Sequence, residues 1–190
     1  MDLFNILGQI LGVIVTVLCI VVTQFPKRWQ ILVGNAIANI CSAANMFLVG
    51  KDPTSTVTAV FPCIVAVIHC TYNAYRAKKE LPSSVGEKVF FSLLYLAAWG
   101  VGFVLSLLGG TASALDLLPL LATAFFVASV FMPRERNMRL CMLGNATVYI
   151  IYNAILFNSA IFAHIFTVVS ILIALFRYRE KKTVGNAKSS

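Results

Sequence analysis

Polar side chains recur at helical spacing inside long apolar stretches of this sequence. Two sets of three each fall on one face of a helix: Asn35, Asn39 and Ser42, and then Asn145, Tyr149 and Tyr152. Within a membrane a polar group without a partner is costly, so these positions indicate either a solute site or bonds between helices. Amides, hydroxyls and phenols would suit a neutral solute that carries hydroxyl groups or a heteroaromatic ring.

A further polar stripe in the first apolar stretch has counterparts in the fifth. Gln9 matches Asp116, and Thr16 matches Thr123. If the two parts of the chain face each other, all these stripes line one central cavity. The predicted substrate-binding set is Gln9, Thr16, Asn35, Asn39, Asp116, Thr123, Asn145, Tyr149 and Tyr152. The alternative remains open that these side chains only join neighbouring helices, through hydrogen bonds worth about 0.6 kcal/mol on average.

The sequence contains no motif typical of catalysis. It has no paired-acid site, no glycine-rich phosphate loop and no histidine-rich metal motif. The five cysteines all fall inside apolar runs and form no C-x-x-C pair, which disfavours a disulfide framework or a zinc site. His69 and His164 are interpreted as helix-packing residues. We therefore expect no enzyme activity, no cofactor and no metal.

Composition identifies the elements that must position these residues. Of the 190 residues, 59% are hydrophobic and 12% charged, against about 25% charged in ordinary globular domains. Seven apolar segments are each close to the length of about 20 residues that a spanning helix needs. They cover residues 3–23, 30–49, 57–75, 89–108, 115–132, 140–157 and 160–176. This pattern predicts an all-α integral membrane protein with seven transmembrane helices.

The basic residues predict the orientation of these helices. The net charge is +8, but the lysines and arginines form short clusters between apolar runs, which indicates topology signals rather than a nucleic-acid surface. Of the 15 basic residues, 14 follow the first, third, fifth or seventh segment, and Lys51 is the exception. Because cytoplasmic loops carry the positive excess, we predict an outside N-terminus and a cytoplasmic C-terminus.

The chain also repeats itself. Gly34-Asn35-Ala36 recurs as Gly144-Asn145-Ala146, in each case early in a helix that follows a loop with proline and basic residues. Two three-helix copies are parallel when an odd number of helices lies between them. The fourth segment is that single intervening helix. We predict four parts: a first repeat in residues 1–80, a linker helix in 81–112, a second repeat in 113–182 and a disordered cytoplasmic tail in 183–190.

Short stretches across the chain carry a family resemblance. Residues 116–119, 138–141, 149–154 and 176–178 resemble the YgjV-type bacterial inner membrane protein family. The resemblance implies a multi-pass protein of the bacterial inner (plasma) membrane. It also implies kinship with the SWEET and PQ-loop group and with nicotinamide riboside transporters, which join two three-helix bundles through one inversion helix. The chain departs from those groups because neither repeat has a Pro-Gln pair. It also lacks the matched asparagines of sugar facilitators, having only Asn73 at the inner end of the third helix.

Together these observations favour a transporter or facilitator of a small, neutral polar solute that works by rocking of two three-helix bundles. The expected partners are that solute and the lipid bilayer, with no nucleic acid, and self-association into a homo-oligomer is left open. The alternative is a non-transporting scaffold or assembly protein of the inner membrane. Facing polar stripes around a wet cavity favour transport, whereas dry and tightly packed stripes favour the scaffold.

Overall fold

The predicted all-helical architecture is confirmed in a computed structural model, which describes residues 3–49, 53–110, 113–157 and 160–187. Within these residues the chain forms seven α-helices, and a single 3-10 turn, Ala114–Asp116, precedes the fifth. The helices are α1 (Leu3–Val22), α2 (Arg28–Val49), α3 (Pro53–Lys78), α4 (Val85–Leu108), α5 (Leu117–Phe131), α6 (Glu135–Ile155) and α7 (Ile161–Ala187).

Several of these helices suit a bilayer by length and composition. Four stretches of the described residues are long and apolar enough to cross a membrane: Arg28–Leu48, Val85–Leu108, Ala114–Phe131 and Ile161–Tyr178. A shorter apolar helix covers Ile6–Val22. Large apolar side chains, such as those of Leu108 and Phe157, are exposed on the outer surface, as expected where lipid replaces water.

The helices extend beyond several of the apolar segments that predict them. The third helix runs from Pro53 to Lys78, although its apolar segment covers only residues 57–75. The fourth begins at Val85, where Ser84 and Glu87 form a capping box that binds the free backbone N–H groups of the first turn. Hydropathy identifies only the part of a helix that is suited to hydrocarbon. The polar ends of a helix therefore lie outside the predicted apolar segment. Helix α7 likewise continues through residues 183–187 of the predicted tail, and residues 188–190 lie outside the described part.

The helices pack in two groups of three, and the middle helix of each group contacts the other two. Helix α2 contacts α1 and α3, and α6 contacts α5 and α7. We call α1–α3 the first group and α5–α7 the second group. Helix α4 contacts α3 and α5, while the groups meet where α1 contacts α7 and where α3 contacts α5.

Glycines permit the closest approach inside each group. A Cβ added to Gly34 on α2 would lie 2.3 Å from the side chain of Val22 on α1. A Cβ added to Gly144 on α6 would lie 2.8 Å from the ring of Phe125 on α5. Both distances are too short for real contacts, so the glycine of each Gly-Asn-Ala sequence allows a close approach between the first and middle helices of its group.

The larger buried apolar cluster lies at one end of the helices. It joins the end of α1, the start of α2, the end of α3, the end of α5 and the start of α6. Its buried members are Val22, Ile31, Leu32, Ala36, Cys70, Ala74, Val130 and Met138. Because the basic loops are at this same end, we call it the basic end.

Candidate functional site

The predicted asparagines of the first group lie together on α2. Asn35 is 7% exposed, and its amide nitrogen has no hydrogen-bond partner in the described part of the chain. Asn39 is half-buried and donates from its Nδ2 to the backbone carbonyl of Asn35 over 2.8 Å. Within the described residues the Asn35 amide therefore leaves its buried N–H groups unsatisfied.

Their counterparts on α6 make contacts within the second group. Asn145 donates from its Nδ2 to the carbonyl of Ala122 on α5 over 2.7 Å. The ring of Tyr149 stacks on that of His164 on α7, with 5.0 Å between the ring centroids. These two contacts match the helix-joining alternative at Asn145 and Tyr149.

Four of the remaining predicted residues lie on α1, on α5 or in the 3-10 turn before α5. Thr16 donates to the carbonyl of Gly12 over 3.0 Å, and Thr123 donates in the same way to Pro119 over 2.8 Å. Gln9 is exposed. The carboxylate of Asp116 accepts the N–H group of Ser113 over 2.9 Å in the 3-10 turn that leads into α5.

Asp116 also has a partner beyond its own turn. Its carbonyl accepts the indole N–H of Trp99 on α4 over 3.4 Å. The structure thus joins Asp116 to α4 and keeps Asn35 with Asn39. Among the described residues, the hydrogen bonds of the nine predicted side chains stay within a single helix, turn or group, so a pocket shared by all nine stays a prediction.

A buried arginine joins the two groups at the basic end. Arg139, in the second turn of α6, is 2% exposed. Its Nε donates to the carbonyl of Thr23, just past the end of α1, over 3.1 Å, and its Nη2 donates to the carbonyl of Phe25. The guanidinium also lies 4.5 Å from the ring centroid of Tyr178 on α7, a cation–π contact.

A second arginine makes the reciprocal bond. Arg28, the first residue of α2, donates from its Nη2 to the carbonyl of Val130 near the end of α5 over 2.7 Å. Each group thus sends an arginine from its middle helix to the carbonyl end of the other group's first helix. We call these bonds, from Arg28 to Val130 and from Arg139 to Thr23 and Phe25, the arginine clasp.

Side chains of α1 and α7 reinforce this junction. The hydroxyls of Thr23 and Ser170 lie 2.7 Å apart, and Gln24 donates from its Nε2 to the carbonyl of Ser170 over 2.7 Å. The phenol of Tyr178 donates to the carbonyl of Gln24 over 2.8 Å. These bonds hold α1 to α7 beside the arginine clasp.

The other junction, between α3 and α5, is aromatic. His69 on α3 is fully buried, and neither ring nitrogen has a hydrogen-bond partner among the described residues. Its ring lies 4.2 Å from that of Phe91 and 4.6 Å from that of Phe131, measured between centroids. The prediction of a packing role agrees with these contacts.

Sequence reasoning missed the arginine clasp because it treated Arg28 and Arg139 as topology signals. Both lie in the first two turns of a middle helix that follows a proline-containing loop, which was the available signal of related roles. Their acceptors are backbone carbonyls, which every residue type has, so the sequence does not distinguish these positions. Only the folded structure, in which α6 lies beside the end of α1 and α2 beside the end of α5, identifies them.

Comparison with known proteins identifies a family for almost the whole chain. No curated protein and no solved structure matches it. A family profile described as Imp-YgjV, a bacterial inner membrane protein family, matches residues 6–182, which include every helix that forms the arginine clasp and every predicted site residue. The chain therefore belongs to the Imp-YgjV family of bacterial inner membrane proteins.

Proposed function

We propose that this protein transports a small, neutral polar solute across the bacterial inner membrane by alternating access between its two groups of helices. In this proposal all seven helices span the membrane as two parallel three-helix repeats joined by α4, the 3+1+3 arrangement of SWEET-like proteins. The observation that carries it is the arginine clasp, a reciprocal set of bonds between the groups at one end.

The contacts between the groups support a twofold relation. If α1, α2 and α3 correspond to α5, α6 and α7, then the contact of α1 with α7 becomes that of α5 with α3, and both contacts are present. The equivalence of Gly34 and Gly144 at matching helix pairs supports the same relation. Two equivalent bodies that meet across an axis along the membrane normal can rock about a solute held between them.

Burial on the third helices supports the repeat independently. His69, Cys70 and Asn73 on α3 have the spacing of Ser170, Ile171 and Ala174 on α7, and all six side chains are buried. The first member of each set faces the end of the other group's first helix, since His69 packs on Phe131 and Ser170 bonds Gln24.

The charge bias assigns the basic end to the cytoplasm, with the N-terminus outside and the C-terminus inside. The arginine clasp then closes the cytoplasmic side. Its acceptors are backbone carbonyls at helix ends, which water at the interface can satisfy when the clasp opens. Such bonds suit a gate better than a buried carboxylate pair would, because opening leaves no second charge unpaired.

Asn35 is the strongest solute ligand within this proposal. Its buried amide nitrogen has no partner among the residues that the structure describes, so a solute oxygen can accept its N–H group. Asn39, Tyr149 and Tyr152 lie on the same stripes and add amide and phenol groups. The chemistry favours hydroxyls or ring nitrogens on the solute over a full charge.

The test is a screen of metabolites against the purified protein by thermal shift, followed by uptake of each stabilising compound into proteoliposomes. We expect at least one neutral polar compound to stabilise the protein and to enter the vesicles faster than it enters protein-free vesicles. The Asn35→Ala variant should lose both effects. A protein that binds none of these compounds and moves none of them would instead support the scaffold alternative.

A further inference from the structure

A cleft of about 680 Å³ opens at the basic end of the molecule. Its walls come from the α1–α2 loop, the start of α2, the end of α3, the α3–α4 loop and the α5–α6 loop. Four cationic side chains line it: Lys27, Arg28, Lys78 and Lys88. The cleft is therefore built from both groups and lies beside the arginine clasp, which shares Arg28 with it.

Among the described residues no ion pair neutralises the cations of this cleft, although the charge of Glu135 acts on Arg28. Two carboxylates, those of Glu80 and Glu135, also line it. In the described part of the chain the one ion pair is between Arg76 and Glu87, and neither of these residues lines the cleft. Four cations against two carboxylates leave a positive excess that is available to an anion.

Two details prepare the cleft for an oxyanion. The Nη2 of Arg28 is bonded to Val130, whereas its Nε is buried and has no partner among the residues that the structure describes. The Nζ of Lys78 lies 5.8 Å from the ring centroid of Trp29, so the indole holds this ammonium at the wall of the cleft. The positive charge of a guanidinium beside several ammonium groups is suited to attracting phosphate oxygens.

We propose that this cleft binds the phosphate group of an anionic ligand, either the headgroup of a phospholipid or a soluble phosphate ester. The volume accommodates a phosphate together with a glycerol-sized substituent, as in phosphatidylglycerol. The inference stands apart from the transport proposal because it rests only on the charges and shape of the cleft.

The experiment compares two double variants that each remove two positive charges from the basic end. Lys78→Gln with Lys88→Gln alters the cleft, whereas Lys79→Gln with Arg136→Gln removes exposed charges that do not line it. Arg28 is left intact because it belongs to the arginine clasp. Thermal stability of the detergent-solubilised protein is titrated with phosphatidylglycerol, with phosphatidylcholine and with glycerol phosphate.

We expect phosphatidylglycerol to stabilise the unaltered protein and the control variant more than phosphatidylcholine does. The cleft variant should bind it about 30-fold more weakly, since it lacks two basic residues and each one near a membrane surface strengthens binding about fivefold. Stabilisation by glycerol phosphate alone, lost in the cleft variant, would assign the site to a soluble phosphate ester.

Equal weakening in both double variants would overturn the proposal, because it would mean that diffuse surface charge attracts the anion. The absence of stabilisation by either phosphate compound would overturn it as well. Native mass spectrometry of retained phosphatidylglycerol provides a second measurement on the same three proteins, with the smallest retention expected for the cleft variant.

Discussion

The Nε of Arg139 on α6 donates a hydrogen bond to the backbone carbonyl of Thr23, at the end of α1, over 3.1 Å. The donor is 2% exposed and the acceptor residue is fully buried. The charge is balanced by peptide carbonyls and the Tyr178 ring, since the one ion pair of the described residues lies elsewhere. Arg139 therefore stabilises contact between the groups while leaving no buried carboxylate to be stranded when they part.

The first prediction follows from this burial. Replacing Arg139 by alanine removes donors from the carbonyls of Thr23 and Phe25, and hydrogen bonds from a charged group are worth about 1.5–3 kcal/mol. We expect a loss of stability of about that size in thermal or denaturant unfolding. Arg136→Ala is the control, because Arg136 is exposed on the same helix and surface changes alter stability by about 0.5 kcal/mol or less. Equal effects of the two substitutions would show that Arg139 has no special structural role.

A second prediction concerns the two close glycines. Gly34→Ala and Gly144→Ala force a methyl group into Val22 and Phe125, and overpacking of this kind costs about 1–3 kcal/mol. Gly100→Ala is the matched control, since a Cβ there meets nothing within 4 Å and alanine favours a helix. The first two variants should therefore unfold at lower temperatures than the third. A Gly144→Ala protein as stable as the unaltered one would contradict the close packing of α6 on α5.

The third prediction distinguishes the two roles left open for Asn145. Its bond to the Ala122 carbonyl makes a small loss of stability expected on replacement by alanine, about 0.6 kcal/mol for a typical bond between membrane helices. If Asn145 also lines the solute pocket, the same variant should lose solute binding almost completely. A variant that binds solute normally but unfolds at a much lower temperature than the unaltered protein would assign Asn145 to helix packing alone.

A fourth prediction tests the orientation. Single cysteines replacing Lys51 and Arg134 in a background without native cysteines should react with a membrane-impermeant thiol reagent from opposite sides. Lys51 should label in intact cells from the outside, and Arg134 only after the membrane is opened, because the basic excess lies inside. Labelling of both positions from one side would refute the predicted topology.

The helices of this fold were easier to predict from the sequence than the contacts between them. Long apolar runs predict each helix, since hydrocarbon requires continuous apolar surface, and the repeat of Gly34-Asn35-Ala36 marks the middle helices. The start of α4 at Val85 was missed because its first turn is stabilised by Ser84 and Glu87, which add no hydropathy.

The site was only partly predictable for a related reason. Spacing alone identifies the face that carries Asn145, but the choice between a solute and the carbonyl of Ala122 depends on how closely α5 approaches. The burial of Arg139 had no sequence signal, because arginine beside an apolar run is usually solvated at the interface. Its acceptor carbonyls come from a distant part of the chain, and any residue type could have supplied them.

The central claim is that the two groups of helices rock against each other, closing one end as the other opens. The most direct measurement is of distances between spin labels at both ends, in a background without the native cysteines. One pair replaces the exposed Lys79 and Arg136 at the basic end, and the other replaces the exposed Phe47 and Phe157 at the opposite end.

The account predicts that Arg28→Gln combined with Arg139→Gln lengthens the first distance and shortens the second, because weakening the arginine clasp shifts the population towards opening at the basic end. A solute that binds the pocket should redistribute the same two distances in the protein with an intact clasp. Single narrow distributions at both ends, unchanged by these substitutions and by every stabilising solute, would contradict the account.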